Sequence, residues 1–217
     1  MNQRIYCISG LGANEEVFSR LHLPGTELVV LKWLVPEQDE SFAAYSRRMF
    51  DQVTDENPVM IGVSFGGMTC IEMANQFPVK KLLLISSVKT KAELPFWMKA
   101  TGKLHLHRLL QPRPHPLLYP IENFFLGAVS KEEKLIANSF RKEVNREYLQ
   151  WAIHQIVSWK NVTIHGNITH IHGTGDRLFP FRNVQADYTI REGGHFMVYN
   201  KAAEISAIIH RELESGH

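Results

Sequence analysis

The sequence predicts an α/β fold: a mostly parallel sheet of about six strands, flanked by helices and interrupted by a helical insertion. Three observations predict it. Short apolar runs rich in β-branched residues recur along the chain. Segments with helical periodicity separate them. One stretch of about 75 residues between two such runs has no strand pattern and is too long for a single crossover.

The first run is Ile5 to Ser9, which leads into the loop Ser9-Gly10-Leu11-Gly12. The second is Leu28 to Trp33. Ser41 then reads as a helix N-cap, with Phe42, Tyr45, Met49 and Val53 following at helical spacing. Val59 to Val63 and Leu82 to Ile85 are the third and fourth runs. All four are nearly continuous in hydrophobicity, as strands are when helices cover both sheet faces. Between the third and fourth, Met68, Ile71 and Ala74 form a helical stripe that Pro78 ends.

Residues 89–163 carry the insertion. Leu94 to Met98 and Ile121 to Leu126 are apolar and aromatic, and Pro112, Pro114, Pro116 and Pro120 predict an irregular middle. Ser130-Lys131-Glu132-Glu133 is a capping box, and Leu149, Ile153, Ile156 and Val157 stripe a later helix. Two more strand runs, Ile168 to His172 and Asp187 to Ile190, precede a final helix marked by Ala202, Ile205, Ile209 and Leu213. The expected division is a core of residues 1–88 and 164–217, with 89–163 as a helical cap over one end of the sheet; ordinary crossover helices are the alternative.

Composition narrows the function. A net charge of +2 is too balanced to point to nucleic acid. Cys7 and Cys70 each lie in apolar surroundings and read as reduced core thiols rather than a disulfide. No cysteine or histidine spacing predicts zinc, and no metal or organic cofactor is implied. The start of the chain lacks a signal-peptide layout, and no apolar run approaches the ~18 residues of a membrane span, so a cytoplasmic protein without a membrane partner is expected. Most of the eleven histidines sit singly and read as surface or structural groups.

A serine hydroxyl needs a base, a group to hold that base, and donors for the oxyanion before it acts as a nucleophile. Gly62-Val63-Ser64-Phe65-Gly66 is a Gly-x-Ser-x-Gly motif. A chain this long shows that pattern by chance about once in fourteen. Its place between a strand and a helix is what gives it weight, because there it forms a sharp elbow that presents the serine. His195, in Gly193-Gly194-His195-Phe196 between the last strand and the last helix, is the candidate base. Asp176 ends Gly173-Thr174-Gly175-Asp176 just past a strand and is the candidate acid. The rival place, after Leu82 to Ile85, carries Ser86 and Ser87 and no carboxylate before Glu93. The N–H of Phe65 and that of Leu11, with Gly12 as its rival, are the expected oxyanion donors. The Gly10-Leu11-Gly12 loop does not complete a dinucleotide fingerprint, because Glu15 stands where the last glycine would be, and it lacks a P-loop lysine.

Together these segments resemble the α/β-hydrolase superfamily, whose chain order is Ser, Asp, His. The resemblance covers nearly the whole chain and implies that fold, with the cap inserted after Leu82 to Ile85. Two departures stand out. Ser9 occupies the place where many members carry His before the oxyanion glycine, and few residues precede the first strand, so the family's leading antiparallel hairpin is not expected.

A serine at the elbow argues against the family's dehalogenases and epoxide hydrolases, which carry aspartate there. Phe96, Trp97, Phe124, Phe125, Leu126 and Trp151 are available to wall a pocket under the cap, which favours a small, partly apolar ester. Lys91, Lys99, Lys103, His105, His107, Arg108 and Arg113 make the first part of the cap basic, as a solvated face or as an attraction for an anionic group. A slow-turnover binding protein on the same fold, and a lyase or C–C bond hydrolase using the same triad, are the alternatives.

Overall fold

A computed structural model of the chain describes residues 3–105 and 115–214. Of the residues singled out above, His107, Arg108, Pro112, Arg113 and Pro114 lie outside the described residues.

Six strands form one sheet: β1 (Gln3–Ile8), β2 (Thr26–Val30), β3 (Val59–Val63), β4 (Lys81–Ile85), β5 (Ile168–Gly173) and β6 (Tyr188–Ile190). Their order is β2-β1-β3-β4-β5-β6, and every pairing is parallel. Side chains alternate between faces along each strand. Tyr6, Ile8, Met60, Leu82 and Leu84 therefore join one core. Ile5, Cys7, Ile61, Leu83 and Ile85 join the other. Helices α1 (Phe42–Phe50) and α2 (Phe65–Ala74) cover the first core; α7 (Met197–Asn200) and α8 (Ala202–Glu214) cover the second.

The helix signals read from sequence act as expected. Ser41 Oγ accepts the Ala44 N–H at 3.2 Å and caps α1. Ala202, Ile205, Ile209 and Leu213 are all buried on α8. Cys7 and Cys70 are buried and free, and burial pushes both thiols up.

β2 departs from expectation. It is an edge strand, half-buried, and ends at Val30 rather than Trp33. Leu31 N still donates to Cys7 O, but the Gln52 side chain then takes both backbone groups of Lys32. A side-chain amide thus replaces the ladder and turns the chain away, leaving Trp33 free to point toward the site. α1 also stops short of Val53, which packs against the core from the turn after the helix.

Between β4 and β5 lie α3 (Phe96–Lys103), α4 (Tyr119–Leu126), α5 (Lys131–Glu143) and α6 (Arg146–Ser158). Ser130 and Glu133 form the reciprocal capping box at α5. Pro116 and Pro120 do not make their own segments irregular. They occupy the first turns of a short 3-10 helix and of α4, where a missing N–H costs nothing. α6 turns inward: Tyr148 and Ala152 are buried in the α1–α2 core. Among the described residues, no helix is long and apolar enough to cross a membrane.

Candidate functional site

Ser64 stands where β3 ends and α2 begins. Its φ of 54° and ψ of −120° lie in a region that L-residues rarely occupy. Surrounding bonds hold that conformation. Ser64 N donates to Ile85 O at 3.0 Å, and Ser64 O accepts from Gly67 N and from the Ser87 hydroxyl. The sharp turn also brings α2 against neighbouring backbone. A Cβ on Gly66 would run into the carbonyl oxygens of Ile8 and Ser9, and one on Gly62 into Gly67 Cα. These two glycines are what let strand and helix approach closely enough to make the elbow.

Asp176 follows β5, and its carboxylate is held at both oxygens. Oδ1 accepts the N–H groups of Leu178 (2.9 Å) and Phe179 (2.8 Å), while Oδ2 lies 2.8 Å from His195 Nδ1. Burial pushes this carboxyl up, but the charge and hydrogen bond of His195, with help from His172 and the Phe179 N–H, outweigh it and hold Asp176 below its usual value. His195 Nε2 lies 2.8 Å from Ser64 Oγ. An ionised carboxylate only accepts, so His195 Nδ1 carries the proton, and Nε2 is left to accept the Ser64 O–H. Ser64, Asp176 and His195 thus meet in one hydrogen-bonded chain, 8%, 4% and 5% exposed. Water has little access to it.

The loop after β1 lies against the serine. A Cβ on Gly10 would sit 3.5 Å from Ser64 Cβ. Ala13 N donates to Gly10 O, and Gly12 has a φ of 71°. Ser9, the departure noted in the sequence, braces this loop: its hydroxyl donates to Ala13 O at 2.6 Å and accepts from Trp33 Nε1 at 3.0 Å. Phe65 is the first residue of α2, so its N–H has no carbonyl within the helix, and the positive end of the helix dipole faces the same space.

Trp33 and Tyr148 were not candidates on sequence grounds, yet both stand beside the elbow. Trp33 stacks on Phe65 (centroids 5.5 Å apart) and packs on Tyr148 (5.3 Å). Nothing in the local pattern marks either one; a tryptophan at the end of a strand reads as core. Among the aromatic residues considered for the pocket, Trp151 joins this cluster, 6.2 Å from Phe65, and donates to Glu40 O. Phe124 and Phe125, on α4, are exposed, at 57% and 40%. Phe96 and Trp97, on α3, are 82% and 51% exposed and face solvent.

α4 is tied directly to the site loops. Phe196 N donates to Leu126 O at 2.8 Å, and a Cβ on Gly194 would lie 3.2 Å from Gly127 Cα. Arg177 donates to Phe124 O and places its guanidinium 4.1 Å from the Phe124 ring centroid. The residues flanking both His195 and Asp176 are therefore fastened to the segment between β4 and β5.

Lys91, Lys99, Lys103 and His105 line a groove of about 870 Å³ together with Lys160 and His154. A second groove, about 840 Å³, runs along Trp151, Trp159 and Glu72. Neither includes Ser64, Asp176 or His195 in its lining. The basic face is thus set apart from Ser64, Asp176 and His195. Among the described residues, no group of three His, Cys, Asp or Glu side chains could hold a metal ion.

Solved structures share this architecture. An esterase from Thermogutta terrifontis superposes with a TM-score of 0.79 at 13% identity, covering 100% of this chain and 91% of that one. A meta-cleavage product hydrolase from Pseudomonas fluorescens gives 0.71 at 14% identity (99% and 92%). A bromoperoxidase from Bacillus anthracis gives 0.69 at 15% (99% and 92%). No protein-family model matches the sequence, and no match arises among curated protein sequences. At these identities the likeness establishes the fold: the chain has the α/β-hydrolase fold.

Proposed function

We propose that the protein is a serine hydrolase that cleaves a small, partly apolar ester through an acyl-enzyme. The observation that carries this reading is the continuous chain from Asp176 through His195 to a strained Ser64. Each link has one chemical role. Ser64 Oγ attacks the ester carbonyl while His195 Nε2 takes its proton. Asp176 keeps His195 in the Nδ1–H tautomer and stabilises the imidazolium that forms. The oxyanion is met by the N–H groups of Phe65 and Leu11, at the positive end of α2. His195 then returns the proton to the leaving alcohol, and a water repeats the sequence to release the acid.

Residues 89–163 act in this reading as a cap that walls the acyl pocket. Support comes from the anchoring of α4 to the loops of His195 and Asp176. Trp33, Tyr148 and Trp151 then form the apolar wall next to Phe65. Phe96, Trp97, Phe124 and Phe125 fall outside that wall, because all four are exposed. The structural neighbours include an esterase and a meta-cleavage product hydrolase, which supports hydrolysis as the reaction class.

A fluorophosphonate probe tests the reading. The wild-type protein is expected to be labelled at Ser64 and to turn over short-chain p-nitrophenyl esters, and Ser64→Ala to do neither. Turnover that survives in Ser64→Ala, or a wild-type protein that resists the probe, would overturn it.

A further inference from the structure

β5 carries two histidines that the proposed chemistry does not use. His170 and His172 are fully buried and, two residues apart on a strand, share one face. His172 Nδ1 lies 3.2 Å from His170 Nε2, and His172 Nε2 lies 2.8 Å from Phe179 O. A carbonyl only accepts, so His172 Nε2 carries a proton. Burial pushes both imidazoles down, His170 to about 3, so both are neutral near pH 7. A neutral His172 protonated at Nε2 has a bare Nδ1, and His170 must donate to it. The hydrogen bonds therefore run in one direction, from His170 to His172 to the Phe179 carbonyl.

Phe179 is the residue on which this chain meets the triad. Its N–H donates to Asp176 Oδ1 at 2.8 Å, and its ring packs edge-on to the His195 ring with centroids 5.4 Å apart. His172 Nε2 is also 3.6 Å from Asp176 Oδ2, the oxygen that holds His195 Nδ1. Two imidazoles are a costly way to fill a core, because each must shed its water. One atom, His170 Nδ1, is buried with no hydrogen-bond partner among the described residues. An aliphatic pair would fill the same space without that cost but could not grip the Phe179 carbonyl.

We propose that His172 is a positioning residue for the triad acid: braced by His170, it fixes Phe179, whose N–H in turn keeps the Asp176 carboxylate aimed at His195. This inference rests on the reading of Ser64, His195 and Asp176 as a catalytic triad. His172 touches neither substrate nor reacting atoms, and its effect passes through Phe179 to the Asp176 carboxylate and the His195 ring.

The test compares H172F with H172Q, since glutamine places an amide N–H where Nε2 stands. H172F is expected to lower kcat for a p-nitrophenyl ester about ten- to hundredfold, with KM changed by less than about twofold. The fluorophosphonate labelling rate should fall by a similar factor. The low-field proton resonance of His195 Nδ1–H should broaden or move upfield, and H172Q should restore most of both losses. An H172F protein that loses thermal stability yet keeps kcat and that resonance would overturn the proposal, since His172 would then be a packing residue only. Should H172F not fold, H172N, whose amide is too short to reach Phe179 O, is compared with H172Q; equal kcat in the two overturns it. The parent reading fails separately, through Ser64→Ala, so the two failures are distinguishable.

Discussion

Asp176→Asn isolates the tautomer argument, because it changes one atom and leaves the shape unchanged. In the native protein Oδ1 accepts two backbone N–H groups, from Leu178 and Phe179. An asparagine must keep its carbonyl oxygen on that side, since an NH2 there would face two donors. Its amide N–H groups then point at His195 Nδ1, which has to accept. The imidazole proton moves to Nε2, and Nε2 can no longer take the proton of Ser64. A wrong tautomer of this kind costs about 10⁴-fold in turnover, or roughly 5 kcal/mol of transition-state stabilisation. The assay is kcat/KM on a p-nitrophenyl ester, with thermal unfolding as a control. A loss below about tenfold in a folded D176N protein would refute the reasoning. Stability gives a second readout. The folded-state pKa of Asp176 lies below its ordinary value of 3.8. Its contribution is therefore present above that value and is lost as pH falls through the folded pKa. The wild-type melting temperature should fall across that acid range more steeply than that of D176N.

Three further outcomes follow from the geometry. Ser9→Ala removes both bonds that brace the loop after β1, to Ala13 O and from Trp33 Nε1; it should cost about 1–2 kcal/mol of stability and about tenfold in kcat, with KM little changed, and an unchanged kcat would count against the proposed role of this loop in holding the oxyanion. Gly66→Ala sets a Cβ against two backbone carbonyls that cannot move aside, so a loss of about 3 kcal/mol or more is expected in chemical denaturation, and a wild-type midpoint would contradict the close approach of α2 to β1. Glu212 on α8 accepts from Lys81, Thr169 and Tyr188, which hold its carboxyl down to about 2; its stabilisation is present above pH 4.5 and lost as pH falls toward 2, so Glu212→Gln should lower the melting temperature at neutral pH and flatten its decline in that window.

What could be read from sequence divides along physical lines. Strand runs, the Ser41 cap, the Ser130 capping box and the α8 stripe depend on near neighbours, so the pattern carries them. The end of β2 depends on Gln52, a residue 20 positions beyond Lys32 that replaces the strand ladder, and no local rule foresees such a substitution. Ser64, Asp176 and His195 were legible as candidates because turn chemistry and chain order marked them. Trp33 and Tyr148 were not, since an aromatic residue that walls a site has the same local signature as one that fills a core.

The histidines show the same limit from another side. His170 and His172 flank Ile171 on a strand, and from sequence they read, like most of the histidines, as surface or structural groups. The strand is instead covered on both sides, and the pair is fully buried. Burial changes what the residues can do: an exposed imidazole exchanges partners with water, whereas a buried one must keep the partner that the fold provides. That obligation fixes their tautomers and gives the chain of bonds its direction toward Phe179. Phe179 then connects the strand interior to Asp176 by a bond of 2.8 Å. Arg177, one residue past Asp176, joins the same segment to α4 from outside. The acid is therefore held from the core by His172 and from the insertion by Arg177. A perturbation of either grip should reach His195 through the same carboxylate, and combining H172F with Arg177→Ala should give less than the product of the two separate losses in kcat. Full multiplicativity would mean that the two grips act on different groups.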